Sequence, residues 1–128
     1  MTLSKDAPRL KLTCALTLFI MALLLSANAT AHSKLVKTEP PANAVLDAPP
    51  QQVKLIFNRG LESTFSKIRI SNSNGQRVDN NDTRVSGGKN NVLEVGFKGQ
   101  TAGEYTVKYN AVAADGHKVK GEYRFNIK

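Results

Sequence analysis

Sulfur is scarce in this chain. Its 128 residues include one cysteine, Cys14, and two methionines, Met1 and Met21. Beyond residue 21 the chain therefore can form no disulfide, and it offers a metal ion neither thiolate nor thioether. Tryptophan is absent altogether. A metal bound by the later part of the chain needs nitrogen or oxygen ligands.

Long apolar runs are absent too, apart from one near the amino terminus. Leu12–Leu25 is apolar over about 14 residues, short of the roughly 20 that span a bilayer. Basic residues precede this run and alanines follow it: Lys5, Arg9 and Lys11 on one side, and Ala27, Ala29 and Ala31 on the other. This order predicts a secretory signal peptide over residues 1–31, cleaved after Ala31. An uncleaved membrane anchor is the alternative.

Cleavage after Ala31 leaves one domain, residues 32–128, which is long enough for a single modest core. This domain has 15 Lys and Arg against 9 Asp and Glu, a net charge of +6. The basic residues are scattered singly and alternate with apolar ones, a pattern typical of the solvent-facing side of a sheet. Because an exported protein rarely meets nucleic acid, we expect no nucleic-acid partner.

Helical periodicity is the third absence, since no stretch after residue 31 has apolar residues at helical spacing. Strict alternation instead predicts about seven short strands. They fall near residues 35–38, 53–57, 67–71, 76–78, 93–97, 105–109 and 123–127. Asn74-Gly75 predicts a tight turn, and residues 79–90 read as a long polar loop.

Seven strands with one apolar face each predict an all-β sandwich of two antiparallel sheets. The aromatic residues of the domain fall mostly on the inward phase of these strands, so we expect them to supply much of the core. They are Phe57, Phe65, Phe97, Tyr105, Tyr109, Tyr123 and Phe125.

The chain has only two histidines, His32 and His117. Cleavage after Ala31 makes His32 the first residue, whose α-amine and Nδ1 can chelate one metal ion near neutral pH. His117 can add a third nitrogen, and three nitrogens in a T shape suit copper(II). In an extended segment, Asp115 points to the same side as His117, so its carboxylate is a candidate axial or fourth ligand.

Simpler interpretations exist for each of these residues. Asp115-Gly116 is a common hairpin turn, His117 can be a surface residue, and His32 can be an unremarkable residue of a frayed terminus. Cleavage after Ala29 would place His32 third in the chain. A third-position histidine binds copper(II) or nickel(II) locally, through the amine and two backbone amides, without His117.

Both ends of the domain resemble the CopC/PcoC family of periplasmic copper-resistance proteins. The opening motif is Ala31-His32-Ser33-Lys34-Leu35 with residues 53–57, and the closing motif is residues 103–107 with Ala114-Asp115-Gly116-His117. The resemblance implies a cupredoxin-like, Ig-like, seven-stranded Greek-key β-sandwich or barrel. It implies a histidine-brace site for one copper(II) ion, formed by His32, Asp115 and His117.

The same resemblance implies a periplasmic role in copper resistance, homeostasis or delivery, and an inner-membrane copper transporter of the CopD type as a partner. We expect a monomer that is not an enzyme. Two other functions stay open from the residues alone. One is a secreted copper-dependent redox enzyme with a histidine brace, and the other is a metal-free structural module.

The chain departs from the family pattern in three places. Its loop at residues 79–90 lacks the methionines that accompany a separate copper(I) site, which predicts a member specific for copper(II). Phe57-Asn58-Arg59 stands where the family often has Phe-Ser-Glu, so Glu62 is a candidate replacement for that glutamate. We expect Arg59 to weaken binding by repelling the ion. Tyr109 occupies a position that is usually tryptophan.

Overall fold

Alternating apolar side chains build two four-stranded sheets. The computed structural model describes residues 32–128, which form one compact unit, and the predicted signal peptide lies outside the described residues. Residues 32–128 include no helix with the length and apolar character required to cross a membrane. The strands are β1 (Leu35–Glu39), β2 (Val45–Leu46), β3 (Gln52–Phe57), β4 (Lys67–Asn72), β5 (Arg84–Ser86), β6 (Val92–Gly96), β7 (Gly103–Val112) and β8 (Lys118–Ile127).

The first sheet has the strand order β1-β3-β6-β5, and the second has β2-β8-β7-β4. Every pairing is antiparallel except that of β2 with β8, which is parallel. The chain changes sheet at every connection from β1 to β5 and again between β6 and β7. The predicted all-β sandwich is therefore confirmed, with eight strands in the described part rather than seven.

The core lies between the inner faces of the two sheets. Val53, Leu55 and Phe57 of β3 are almost fully buried, as their period-2 spacing predicts. Tyr105 and Phe125 stack with ring centres 5.5 Å apart. Phe65 breaks the expected pattern, because 65% of it is exposed. The prediction that aromatics supply much of the core is therefore wrong for this residue, which precedes β4 instead of lying within a strand.

Two local predictions were wrong, and one short strand was missed. The Asn74-Gly75 turn forms, with Gly75 at a φ of 76°, but residues 76–78 make only an isolated bridge from Arg77 to Ser71. The predicted polar loop contains β5, whose Arg84 forms an ion pair of 2.7 Å with Glu94 on β6. The short strand β2 was not predicted, because two residues are too few to show alternation.

The Asp79 side chain adds to the backbone pairing between β4 and the residues that follow the Asn74-Gly75 turn. Its buried carboxylate accepts hydrogen bonds from the backbone N–H of Ile70 at 2.8 Å and of Asn81 at 2.9 Å, and from Arg77 Nε at 3.0 Å. Burial by itself raises the pKa of this carboxyl. The bonds from Arg77, Ile70 and Asn81 outweigh burial and hold the pKa below its ordinary value.

We expect Asp79→Ala to lower the free energy of unfolding by about 3 kcal/mol at pH 7, because it leaves buried donors without an acceptor. Since the folded-state pKa is depressed, this stabilisation is fully present above the ordinary carboxyl pKa and is lost as pH falls through the folded value. Urea unfolding of the unaltered protein and of Asp79→Ala measures this difference in the free energy of unfolding. The difference should become smaller below about pH 4.

The matched control is Asp47→Ala, which removes an exposed ion pair with Lys128 and should leave stability nearly unchanged. A difference for Asp79→Ala that persisted unchanged at pH 3 would contradict the assigned hydrogen bonds.

Candidate metal centre

The turn between β7 and β8 places His117 at the start of β8. The backbone N–H of Ala113 donates to the carbonyl of His117, and that of Gly116 donates to the carbonyl of Ala113, both at 2.8 Å. Gly116 adopts a φ of 89°, a conformation that a residue without a Cβ accepts at little cost. The turn expected from Asp115-Gly116 is therefore present.

Asp115 holds His117 by two hydrogen bonds. Its Oδ1 accepts from the backbone N–H of His117 at 3.1 Å, and its Oδ2 lies 3.0 Å from His117 Nδ1. These contacts lower the pKa of the Asp115 carboxyl. The bond from the backbone N–H has the largest effect, followed by the bond from the ring and the nearby charge of Arg59. With Nδ1 directed at the carboxylate, Nε2 of His117 is left to bind another group. Metal-binding histidines are commonly oriented by such a carboxylate.

The ring of His32 lies beside that of His117. Their centres are 5.8 Å apart and their planes are perpendicular. Two imidazoles that bind one ion from opposite sides have centres about 6 Å apart, given metal–nitrogen bonds of about 2.0–2.1 Å. Both side chains are exposed, so an ion can reach them from solvent. The spacing therefore fits one metal ion between the rings.

Asn58, at the end of β3, attaches the start of the domain to the first sheet. Its Oδ1 accepts from the backbone N–H of Lys34 at 2.7 Å, and its Nδ2 donates to the carbonyl of His32 at 3.4 Å. Its own N–H donates to the carbonyl of Lys34 at 3.0 Å. Ser33, between these contacts, is buried. Sequence reasoning noticed Asn58 only as a departure from the family pattern and missed this positioning role.

Arg59 lies near Asp115, as expected from the sequence. A cavity of about 250 Å³ is lined by Arg59, Gly60, Ala113, Ala114 and Asp115. The Arg59 charge contributes to the lowered pKa of Asp115. It therefore acts on the turn between β7 and β8 that carries His117. Asp115, which lines this cavity beside the positive charge of Arg59, is also the residue that contacts His117.

Glu62, the candidate replacement for the family's glutamate, contacts the end of β7 and Ser66 through its backbone. Its backbone N–H donates to the carbonyl of Val112 at 2.7 Å, and its carbonyl accepts from Ser66 Oγ at 2.6 Å. Its exposed side chain forms no ion pair with any residue between 32 and 128. Glu62 is thus connected to the β7 end through its backbone alone.

Side chains do not complete a metal site in the described part of the chain. No group of three or more His, Cys, Asp or Glu side chains in residues 32–128 is arranged to hold a metal ion. The structure brings His32 and His117 together, and it places Asp115 as a partner of His117. A further strong ligand has to come from the backbone or from solvent.

Comparison with known proteins identifies the class to which this β-sandwich belongs. Residues 35–128 match the CopC domain, so the chain belongs to the CopC domain family. It is 31% identical over 122 residues to copper resistance protein C of Pseudomonas syringae pv. tomato, covering 91% of this chain and 96% of that protein.

Two further proteins are similar to this chain. The crystal structure of CopC from Methylosinus trichosporium OB3b aligns with a TM-score of 0.70 and 34% identity, over 76% of this chain and 94% of that one. The copper transport protein CutJ of Bacillus subtilis is 35% identical over 111 residues. These residues are 86% of this chain but only 20% of CutJ, so this chain spans about a fifth of that relative.

We expect Asn58→Ala to speed amide hydrogen exchange at Lys34 by about five- to tenfold, because one hydrogen bond contributes about 1 kcal/mol. The measurement is hydrogen exchange followed by NMR on the protein that begins at His32. Asn58→Asp keeps the acceptor oxygen and is the matched control, so it should retain the protection of Lys34. Equal exchange rates in Asn58→Ala and the unaltered protein would contradict the attachment.

Proposed function

We propose that this chain is a periplasmic copper(II)-binding protein that acts in copper resistance, homeostasis or delivery. The observation that carries the proposal is the perpendicular pair of histidines with ring centres 5.8 Å apart, formed by the only two histidines of the chain. Membership of the CopC domain family supports it. So do the names of two relatives, a copper resistance protein and a copper transport protein.

Removal of residues 1–31 creates the ligand that the side chains lack. His32 then carries a free α-amine, which with its own Nδ1 chelates one ion, and His117 contributes Nε2. Three nitrogens in this arrangement match the tetragonal preference of copper(II). Residues 32–128 contain no sulfur, whereas copper(I) prefers thioether and thiolate ligands. We therefore propose one copper(II) ion per chain and no copper(I) site.

Asp115 belongs to the same site, and its hydrogen bonds support an orienting role. Both of its carboxylate oxygens bond to His117, one to the backbone and one to Nδ1. A carboxylate in this position fixes the ring and makes Nε2 a better electron donor. The axial ligation considered from the sequence would use a lone pair that these two contacts leave free.

The protein acts as a carrier and not as a catalyst in this proposal. The ion is its cargo, and the exposed position of both histidines suits uptake and release. The signal-peptide features of residues 1–31 support export, and an inner-membrane copper transporter of the CopD type is the proposed partner of the monomer. The alternative function is a copper-dependent redox enzyme. Such an enzyme would instead turn over a substrate with copper and a reductant.

The brace is tested by two changes to the protein that begins at His32. His117→Ala and the addition of one alanine before His32 should each weaken copper(II) binding at least about 100-fold, more than loss of an orienting partner commonly costs. Competition titration gives the affinity, and electron paramagnetic resonance gives the number of nitrogen ligands. An unchanged affinity and spectrum after both changes would end the proposal.

Mass spectrometry of the exported protein separates the two cleavage sites. A terminus at His32 is expected. A terminus at Thr30, with copper binding insensitive to His117→Ala, would identify the local third-position site instead.

A pair of substitutions at Asp115 distinguishes orientation from ligation. Asp115→Asn keeps an oxygen that can accept from His117, so an orienting role predicts a change in copper affinity of less than about tenfold. Asp115→Ala removes the acceptor and should cost about 10- to 100-fold. Equal losses for the two variants would show that the carboxylate charge itself binds the ion.

A further inference from the structure

Basic residues that are scattered in the sequence converge on the outward face of the second sheet. The neighbours of these residues in β4, β7 and β8 point inward and form the core, so the basic side chains point away from it. We call this surface the basic face; its cations are Lys67, Arg69, Lys108, Lys118, Lys120 and Arg124, all exposed. Glu104 and Glu122 are the acids of the same three strand faces. These eight residues sum to +4, most of the +6 of residues 32–128.

The strand register places like charges side by side. Arg69 lies directly opposite Lys108, and Lys67 and Lys120 flank Asn110 on either side. Like charges directly across a strand pair are destabilising. Lys108 Nζ forms a long ion pair of 3.7 Å with Glu122 Oε2. No ion pair among residues 32–128 includes four of the other cations, which are Lys67, Arg69, Lys118 and Lys120. Repulsion between these cations destabilises the domain on its own, and an anionic partner would relieve that repulsion.

An exposed aromatic residue lies at one end of this face. Phe65 lines a hollow of about 360 Å³ together with Asn110, Val112 and Lys118, and 65% of its surface is exposed. A large apolar side chain next to lysines is the combination that enters the boundary between lipid headgroups and acyl chains. Lys118 directly follows His117, so the basic face continues to the candidate metal centre.

We propose that the basic face docks on an anionic phospholipid bilayer, with Phe65 inserted at the headgroup boundary. The choice of a membrane rests on the periplasmic location in the proposed function. The charges spread over three strands of a sheet face, and mobile lipid headgroups can match such a spread without a fixed register. Docking in this way holds the histidine pair at the edge of the membrane contact, where a membrane transporter receives its cargo.

The test uses the protein that begins at His32 and sedimentation with phosphatidylcholine vesicles, with and without phosphatidylglycerol. We expect binding only to the anionic vesicles and its loss at high salt, which screens the charges. Lys67→Gln/Arg69→Gln/Lys120→Gln should weaken binding on the order of 100-fold, since each basic residue near an anionic surface contributes about fivefold. No binding to anionic vesicles at low salt would overturn the proposal and favour an acidic protein partner.

The matched control removes the same charge from elsewhere. Lys54→Gln/Lys89→Gln/Lys98→Gln lowers the net charge equally, but these residues lie on the first sheet or in its loops. Because charges beyond about 10 Å are screened, this variant should lose much less binding. Equal losses in the two triple variants would show a net-charge effect and overturn the assignment of the face.

A fluorescence experiment tests the orientation independently, because the chain has no tryptophan of its own. Phe65→Trp should give an emission that shifts to the blue on anionic vesicles. Val36→Trp, at an equally exposed position on β1, should give no shift. Shifts of equal size in both would overturn the proposed orientation. Copper(II) affinity of every variant is measured in parallel, so that failure of membrane binding is separated from failure of the metal site.

Discussion

The attachment of residues 32–34 to the end of β3 is the interaction on which the candidate metal centre depends. A terminal residue normally frays, since few contacts offset its conformational entropy. Here Asn58 accepts from the N–H of Lys34 and donates to the carbonyl of His32, and Ser33 is buried between these contacts. The backbone is therefore fixed one residue from its predicted cleavage site. That constraint, together with the turn held by Asp115, brings two distant imidazoles together.

Most of the fold could be predicted from the sequence because strand alternation is a local signal. β1, β3, β4, β7 and β8 each contain a predicted strand, and β6 overlaps one. In β3 and β4 the alternation follows burial, because core residues alternate with more exposed ones. What failed depends on tertiary contacts. Beside residues 76–78, the Asp79 side chain accepts from the N–H of Ile70, and Arg84 of β5 pairs with Glu94 of β6. Periodicity contains no information on either contact.

Part of the candidate metal centre could also be predicted from the sequence. The rarity of histidine and sulfur singled out His32 and His117, and these observations required no coordinates. The position of Asp115 two residues from His117 suggested that both share a side, but not that the carboxylate bonds to Nδ1. Asn58 was invisible as a positioning residue, because its partners are backbone atoms 24 and 26 residues away. Side-chain to backbone bonds between residues so far apart leave no pattern in a sequence.

The distribution of carboxylates favours nitrogen ligands at the proposed copper site. Of the nine acidic residues between 32 and 128, seven form ion pairs with Lys or Arg, and Asp79 and Glu94 are buried in doing so. Of the other two, Glu62 is exposed, and Asp115 lies beside the histidines and already contacts His117. A domain with a net positive charge and no spare carboxylate cluster is poorly suited to hard cations, which prefer several oxygen ligands. Two imidazoles and an amine are neutral when they bind, so they can hold a borderline ion such as copper(II) without requiring negative charge.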